Sequence, residues 1–189
     1  NQDGHLDVIL GRATNIRCAL GMGDGRFGSL VALLDVPLRT TGLLAADVTG
    51  DGVTDLVVSF TNNGSNQPLS NTTSLITGTG MLPFVVAGAV TLIDSPSGPM
   101  WVGDLDGDGD QDLLAPTLIG TSLVENLGTS GFAPSQVLPA GLGVRRLEAH
   151  YLDNDNQLDL VAIRIDGVAS ALQTGPLSFG PFELEQAAL

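Results

Sequence analysis

The chain has 189 residues, enough for a substantial core, yet it carries only six Phe, one Trp and one Tyr, so that core must be built from small and aliphatic side chains. Its formal net charge is −14, with 21 acidic residues against seven Arg and no Lys. That balance excludes a nucleic-acid reader, whose phosphate partners need a basic face, and the longest apolar run, Phe84 to Ile93, is too short to insert across a bilayer.

In chain order, an acidic loop opens the sequence at Asn1-Gln2-Asp3-Gly4-His5-Leu6-Asp7 and runs into an apolar strand, Leu6 to Leu10. A Gly-rich turn ending in Phe follows, Gly21-Met22-Gly23-Asp24-Gly25-Arg26-Phe27, and then a further strand. The second acidic loop is Asp47-Val48-Thr49-Gly50-Asp51-Gly52-Val53-Thr54-Asp55, preceded by a predicted strand over Leu43 to Ala46 and followed by one over Asp55 to Phe60. Its Gly-to-Phe turn is Gly78 to Phe84. The third loop, Asp104-Leu105-Asp106-Gly107-Asp108-Gly109-Asp110-Gln111-Asp112, lies between predicted strands at Met100 to Gly103 and Asp112 to Ala115, with its turn at Gly128 to Phe132. The fourth loop is Tyr151-Leu152-Asp153-Asn154-Asp155-Asn156-Gln157-Leu158-Asp159, between Arg145 to His150 and Asp159 to Ile163. Its turn runs from Gly175 to Phe179, and a last strand falls at Phe182 to Leu184.

The last Asp of each loop stands at 7, 55, 112 and 159, giving intervals of 48, 57 and 47 residues. Short apolar runs punctuated by Gly, Asn, Asp and Pro, without helical periodicity, predict an all-β chain. Four strands per unit at this period predict a β-propeller of four-stranded antiparallel blades, about three and three-quarter of them here. The expected boundaries are 1–37 for a partial first blade, then 38–94, 95–141 and 142–189.

Of the 21 acidic residues, 13 lie inside the four loops, so the charge belongs to sites rather than to the surface at large. Oxygen ligands at loop positions 1, 3 and 5, a turn-making residue at 6, a carbonyl at 7 and an Asp at 9 form a cage for a hard cation, and calcium is the expected ion. The third loop offers Asp104, Asp106, Asp108 and Asp112, with the carbonyl of Asp110, whose carboxylate is expected to face solvent. The second offers Asp47, Thr49, Asp51 and Asp55 with the Val53 carbonyl, and its neutral Thr49 predicts weaker binding. The fourth has Tyr151 in place of the first Asp and keeps Asp153, Asp155, Asp159 and the Gln157 carbonyl. Asn156 replaces its Gly, and Asn tolerates the left-handed backbone. The first keeps Asn1, Asp3, Asp7 and the His5 carbonyl. An EF-hand fails on its bidentate Glu at position 12, where Ala115 and Val58 stand inside predicted strands.

The motif Asp-x-Asp-x-Asp-Gly-x-x-Asp-Leu, an apolar strand, then a Gly-rich turn and Phe resembles the FG-GAP/VCBS repeat. The resemblance covers nearly the whole chain and is sharpest at the third loop. It implies a calcium-binding propeller like the head of integrin α subunits and many bacterial surface proteins. It also implies an extracellular or cell-surface setting, and calcium as a structural staple rather than a reagent. Relatives usually have about seven blades, so the chain reads as a segment of a longer protein; a four-bladed ring or closure by another copy are the alternatives.

The expected function is a non-catalytic interaction or adhesion module, its partner a protein or a glycan. A lectin-like propeller is the alternative, with Trp101 or Tyr151 as the aromatic for a sugar ring, although Trp101 reads more readily as core. A segment of a polysaccharide-lyase-type enzyme is less favoured: His5, His150 and Tyr151 are the only tunable bases, and their spacing defines no catalytic set. Cys18 alternates in phase with Ile16 and Leu20 and reads as a small buried hydrophobe. Gly21-x-Gly23-x-Gly25 has no helix after it and reads as a hairpin turn, not a phosphate cradle. Asn62 to Asn71 is an insertion that accounts for the long interval and carries two chance-level glycosylation sequons.

Overall fold

A computed structural model describes residues 3–12, 15–36, 39–61, 72–78, 85–90, 96, 98–117, 120–138 and 143–185. Asn1, Phe84 and the Asn62–Asn71 insertion lie outside them. The chain is all-β, and the one helical turn among the described residues is a 3₁₀ segment at Gly128–Ser130. No helix among the described residues is long and apolar enough to cross a membrane, which says nothing of β-barrels.

Two compact units form, one from residues 1–47 and 51–90, the other from 48–50 and 91–189. The first unit holds a three-stranded sheet, β1 (Val8–Arg12), β2 (Asn15–Ala19) and β3 (Val31–Asp35), and a four-stranded sheet, β4 (Arg39–Ala46), β5 (Asp55–Thr61), β6 (Thr72–Thr77) and β7 (Val85–Val90). Each is an antiparallel meander in chain order. Ile16, Cys18, Leu33, Val36, Leu56, Val58, Phe60 and Ile76 make its core. Cys18 is buried as expected, and that burial, with the Asp7 carboxylate as the next cause, raises its thiol pKa.

The second unit holds a meander of β8 (Trp101–Gly103), β9 (Asp112–Pro116), β10 (Thr121–Val124) and β11 (Gln136–Leu138). Its other large sheet runs β12 (Val144–His150), β13 (Asp159–Arg164), β14 (Gly167–Ala171) and β17 (Glu183–Glu185), with a separate hairpin of β15 (Gln173–Gly175) and β16 (Ser178–Phe179). Leu105, Leu114, Leu123, Val144, Leu147, Ala149, Leu160 and Ala162 form the core, with Trp101, Phe179 and Phe182 packed on it. The interior strands β9 and β10 are buried along their whole length, whereas β12 alternates, as the difference between a strand covered on both faces and one half in water requires. Each fully buried Leu contributes about 1.5–3 kcal/mol here.

The second, third and fourth acidic loops join the first and second strands of their sheets, as the pattern predicts, and the first leads into β1. Strand β4 begins four residues before the predicted Leu43, because a bulge at Thr40/Gly42 lets pairing continue to Arg39↔Thr61. The first, third and fourth Gly-to-Phe turns are closed loops, while the second runs outside the described residues: Gly21 bridges Phe27, Asn126 bridges Phe132, and Gln173 pairs with Phe179. One backbone hydrogen bond recurs beside each, Gly28 to Leu20, Ala133 to Glu125 and Gly180 to Leu172, at 2.8, 2.9 and 2.8 Å. Gly21-x-Gly23-x-Gly25 is such a turn, with Gly23 and Gly25 at positive φ.

Candidate metal centre

An Asp carboxylate readily accepts the N–H two residues on, and every acidic loop is wound on that bond. The N–H at position 7 donates to the carboxylate at position 5 at 2.8 Å in all four: His5 to Asp3, Val53 to Asp51, Asp110 to Asp108 and Gln157 to Asp155. Position 6 between them needs positive φ, and Gly4, Gly52, Gly109 and Asn156 supply +82°, +82°, +95° and +64°. Asn156 thus keeps the turn without Gly, as its side chain allows. Asn156→Ala is expected to cost about 1 kcal/mol in urea denaturation and Asn156→Gly to be near neutral, since only a Cβ without a polar end is penalised there.

The third loop brings its carboxylates together. Asp104 accepts the N–H of Gly107 at 2.7 Å and of Gly109 at 3.1 Å, and Asp106 accepts that of Asp108 at 3.2 Å. Asp104, Asp106 and Asp108 each set one oxygen within 4.8 Å of the others, the one such acidic group among the described residues. Burial first, then the negative charges of Asp108 and Asp104, raise the pKa of Asp106 against the pull of the Asp108 N–H. Three hard oxygens crowded at this range repel one another and suit a divalent cation with oxygen preference. The donor set therefore fits calcium, with Asp104, Asp106 and Asp108 as the side chains that would hold it. Asp110 departs from expectation: its carboxylate is half-buried against Gly128, where an added Cβ would fall 2.6 Å from Oδ2.

In the second loop Asp47 accepts from Asp51 at 3.2 Å and Gly52 at 2.8 Å, repeating the role of Asp104, while Thr49 and Asp51 are exposed. In the fourth, Tyr151 replaces that acceptor and is 67% exposed. Asp153 accepts the Asp155 N–H, and Asp155 is held below the usual carboxylate range first by the Gln157 N–H, with the Gln157 side-chain amide adding a bond of 2.7 Å. In the first, Asp3 and His5 are exposed and Asp7 half-buried.

Position 9 has a further role that the pattern does not disclose. Asp55, Asp112 and Asp159 are 0%, 1% and 0% exposed. One oxygen of each position-9 Asp accepts a distant backbone N–H: Gly21 to Asp7, Gly78 to Asp55, Asn126 to Asp112 and Gln173 to Asp159, at 2.7–2.9 Å. The donor lies 14 residues on in three units and 23 in the second, whose extra length falls in the insertion. The other oxygen returns to the loop, accepting Leu105 N–H in the third and Leu152 N–H in the fourth. These residues button each acidic loop to the Gly-to-Phe turn of its own sheet.

Two buried amides occupy those turns. Asn126 Nδ2 donates to the carbonyls of Val48 and Gln111, and Gln173 Nε2 to those of Leu105 and Gly175.

Residues 1–58 match the family model of the FG-GAP-like repeat. No curated protein matches the chain. Among solved structures, a lectin of Agrocybe aegerita, described for its specific recognition of non-reducing terminal N-acetylglucosamine, is similar at a TM-score of 0.62 and 21% identity. The likeness covers 96% of this chain and 48% of that one, so the chain spans about half the length of the lectin, and at this identity the likeness is one of fold.

Proposed function

We propose, for a chain whose residues 1–58 match the FG-GAP-like repeat, a calcium-stabilised propeller segment that serves as a non-catalytic interaction module in an extracellular or cell-surface setting. The observation that carries it is the convergence of Asp104, Asp106 and Asp108 in a loop whose winding recurs four times. A bound cation supplies charge neutralisation. The chain's own part is to hold the loops: position 5 fixes position 7, position 9 fixes the neighbouring turn, and the strands on either side inherit that order. Nothing in this scheme moves a proton or breaks a bond. The test is calorimetric titration with calcium, with magnesium as control. Loss of the third loop's share of the uptake in Asp104→Asn/Asp108→Asn supports the reading, and no uptake by wild type overturns it.

A glycan is the second reading of the partner, favoured by the difference between the two aromatic candidates. Trp101 packs on the core with its ring over Gly103, where an added Cβ would fall 2.2 Å from the ring. Tyr151 stands out in solvent and follows in sequence His150, which pairs with Glu148 at 3.0 Å. A solvent-exposed aromatic ring is what stacking on a sugar requires. The lectin likeness supports this reading without naming the sugar. On a glycan array, Tyr151→Ala is expected to remove at least tenfold of any signal, equivalent to about 1.4 kcal/mol. Binding unchanged by Tyr151→Ala would sink the assignment.

A further inference from the structure

We propose that Gln173 is a positioning residue for the third acidic loop and ties that loop to the fourth, an inference that rests on the cation reading above. Leu105 lies between two of the three converging carboxylates, Asp104 and Asp106. Both of its backbone polar groups are held: its N–H donates to Asp112 of the same loop at 2.9 Å, and its carbonyl accepts Gln173 Nε2 from the next sheet at 2.8 Å. The peptide that sets the spacing of Asp104 and Asp106 is thereby clamped from both sides. The backbone N–H of Gln173 in turn donates to Asp159, position 9 of the fourth loop, at 2.8 Å. Asp159 also accepts the N–H of Leu152 within that loop. One residue therefore links position 2 of one loop to position 9 of the next.

Three features argue that the link is specific. It recurs within the same compact unit, where Asn126 Nδ2 holds the Val48 carbonyl at position 2 of the second loop while its N–H is held by Asp112. The amide is 5% exposed and uses only its donor half, because Gln173 Oε1 is buried without a partner among the described residues. An unpaired buried oxygen costs free energy, so the side chain is not there for full satisfaction of its own polarity. And the clamped position is buried where the amide reaches it, Val48 and Leu105 being 3% exposed, whereas Leu152 in the fourth loop is 46% exposed. A partner that orients a ligand from behind sets affinity without touching the ion, which for metal sites is a 10–100-fold effect.

Coupling between sites must be measured rather than inferred from adjacency. The first arm is calcium affinity of the whole chain by calorimetry, wild type against Gln173→Leu, each with its unfolding transition in chelator as a fold control. The expected result is a loss of about tenfold or more in affinity at the third loop. The second arm keeps Gln173 and replaces Asp153 and Asp155 by Asn, so that calcium enters the third loop but not the fourth. Amide hydrogen exchange at Gln173 and Leu152 is then expected to slow on adding calcium, a readout that a merely structural role would leave unmoved. Calcium binding in wild type with unchanged affinity in Gln173→Leu and no slowing at those amides would overturn the proposal while leaving the cation reading intact. Absence of calcium uptake by wild type would overturn the cation reading itself, and this inference with it.

Discussion

Replacing Asp112 by Ala is expected to lower the stability of the chain by roughly 2–6 kcal/mol, with or without calcium. Its two oxygens accept the N–H groups of Leu105 and Asn126, and the side chain is 1% exposed. Truncation leaves two buried donors unpaired, at about 1–3 kcal/mol each. For a chain of this length the melting temperature falls by about 2–4 °C per kcal/mol. Urea denaturation in chelator is the deciding experiment, because it separates this structural role from a part in holding cations. A loss below about 1 kcal/mol there would mean that other partners satisfy both N–H groups. The same carboxylate gives a pH signature. Burial first, and the charges of Asp106 and Asp108 last, push its pKa from 3.8 up to about 6, although the N–H groups of Asn126 and Leu105 pull the other way. A folded-state pKa above the unfolded value means that the folded chain binds the proton more tightly. The Asp112 contribution therefore favours the folded state most below about pH 4 and declines as pH rises from about 4 through 6 in the metal-free chain. Asp112→Asn should flatten that slope.

The loops were legible because each position is answered by local chemistry. Position 6 needs positive φ, so Gly at 4, 52 and 109 and Asn at 156 could be read as one conformation. Four-stranded antiparallel sheets followed from the apolar runs and the period. What could not be read depends on contacts between residues far apart in the chain. The burial of Asp55, Asp112 and Asp159 under N–H groups 14 or 23 residues on leaves no mark in the motif, since an Asp at position 9 serves equally as a ligand or as a button. Asn126 and Gln173 were passed over because the equivalent places in the first two units hold Gly21 and Gly78. There an added Cβ would fall 2.2 Å from the Leu6 carbonyl oxygen and 2.1 Å from that of Thr54. One backbone location is thus filled by glycine where the loop carbonyl crowds it and by an amide where a side chain can bond it, so no single residue type runs through all four. Asp110 was misjudged for a related reason: its solvent-facing assignment ignored Gly128, eighteen positions away, whose missing side chain makes room for the carboxylate.

Neutralising Asp106 is expected to have opposite signs with and without calcium. In chelator, Asp106→Asn should raise the melting temperature slightly, because it removes a partly buried charge that faces Asp104 and Asp108 while an amide oxygen can still accept the Asp108 N–H. With calcium present, wild type should gain about 2.7 kcal/mol for a site at 100 times its dissociation constant, or about 5–10 °C for a chain of this size. The variant loses one of three converging carboxylates, and affinity follows ligand charge. Its gain should be smaller by at least half at the same calcium concentration, so the two melting curves exchange order between chelator and calcium. Magnesium should not reproduce the exchange, since it demands a tighter octahedral shell and gives up its water reluctantly. Equal calcium shifts in wild type and variant would remove the third loop from the metal assignment and leave its carboxylates as turn-formers alone. A crossing confined to calcium would instead tie the crowding of Asp104, Asp106 and Asp108, unfavourable in the bare chain, to the ion that offsets it.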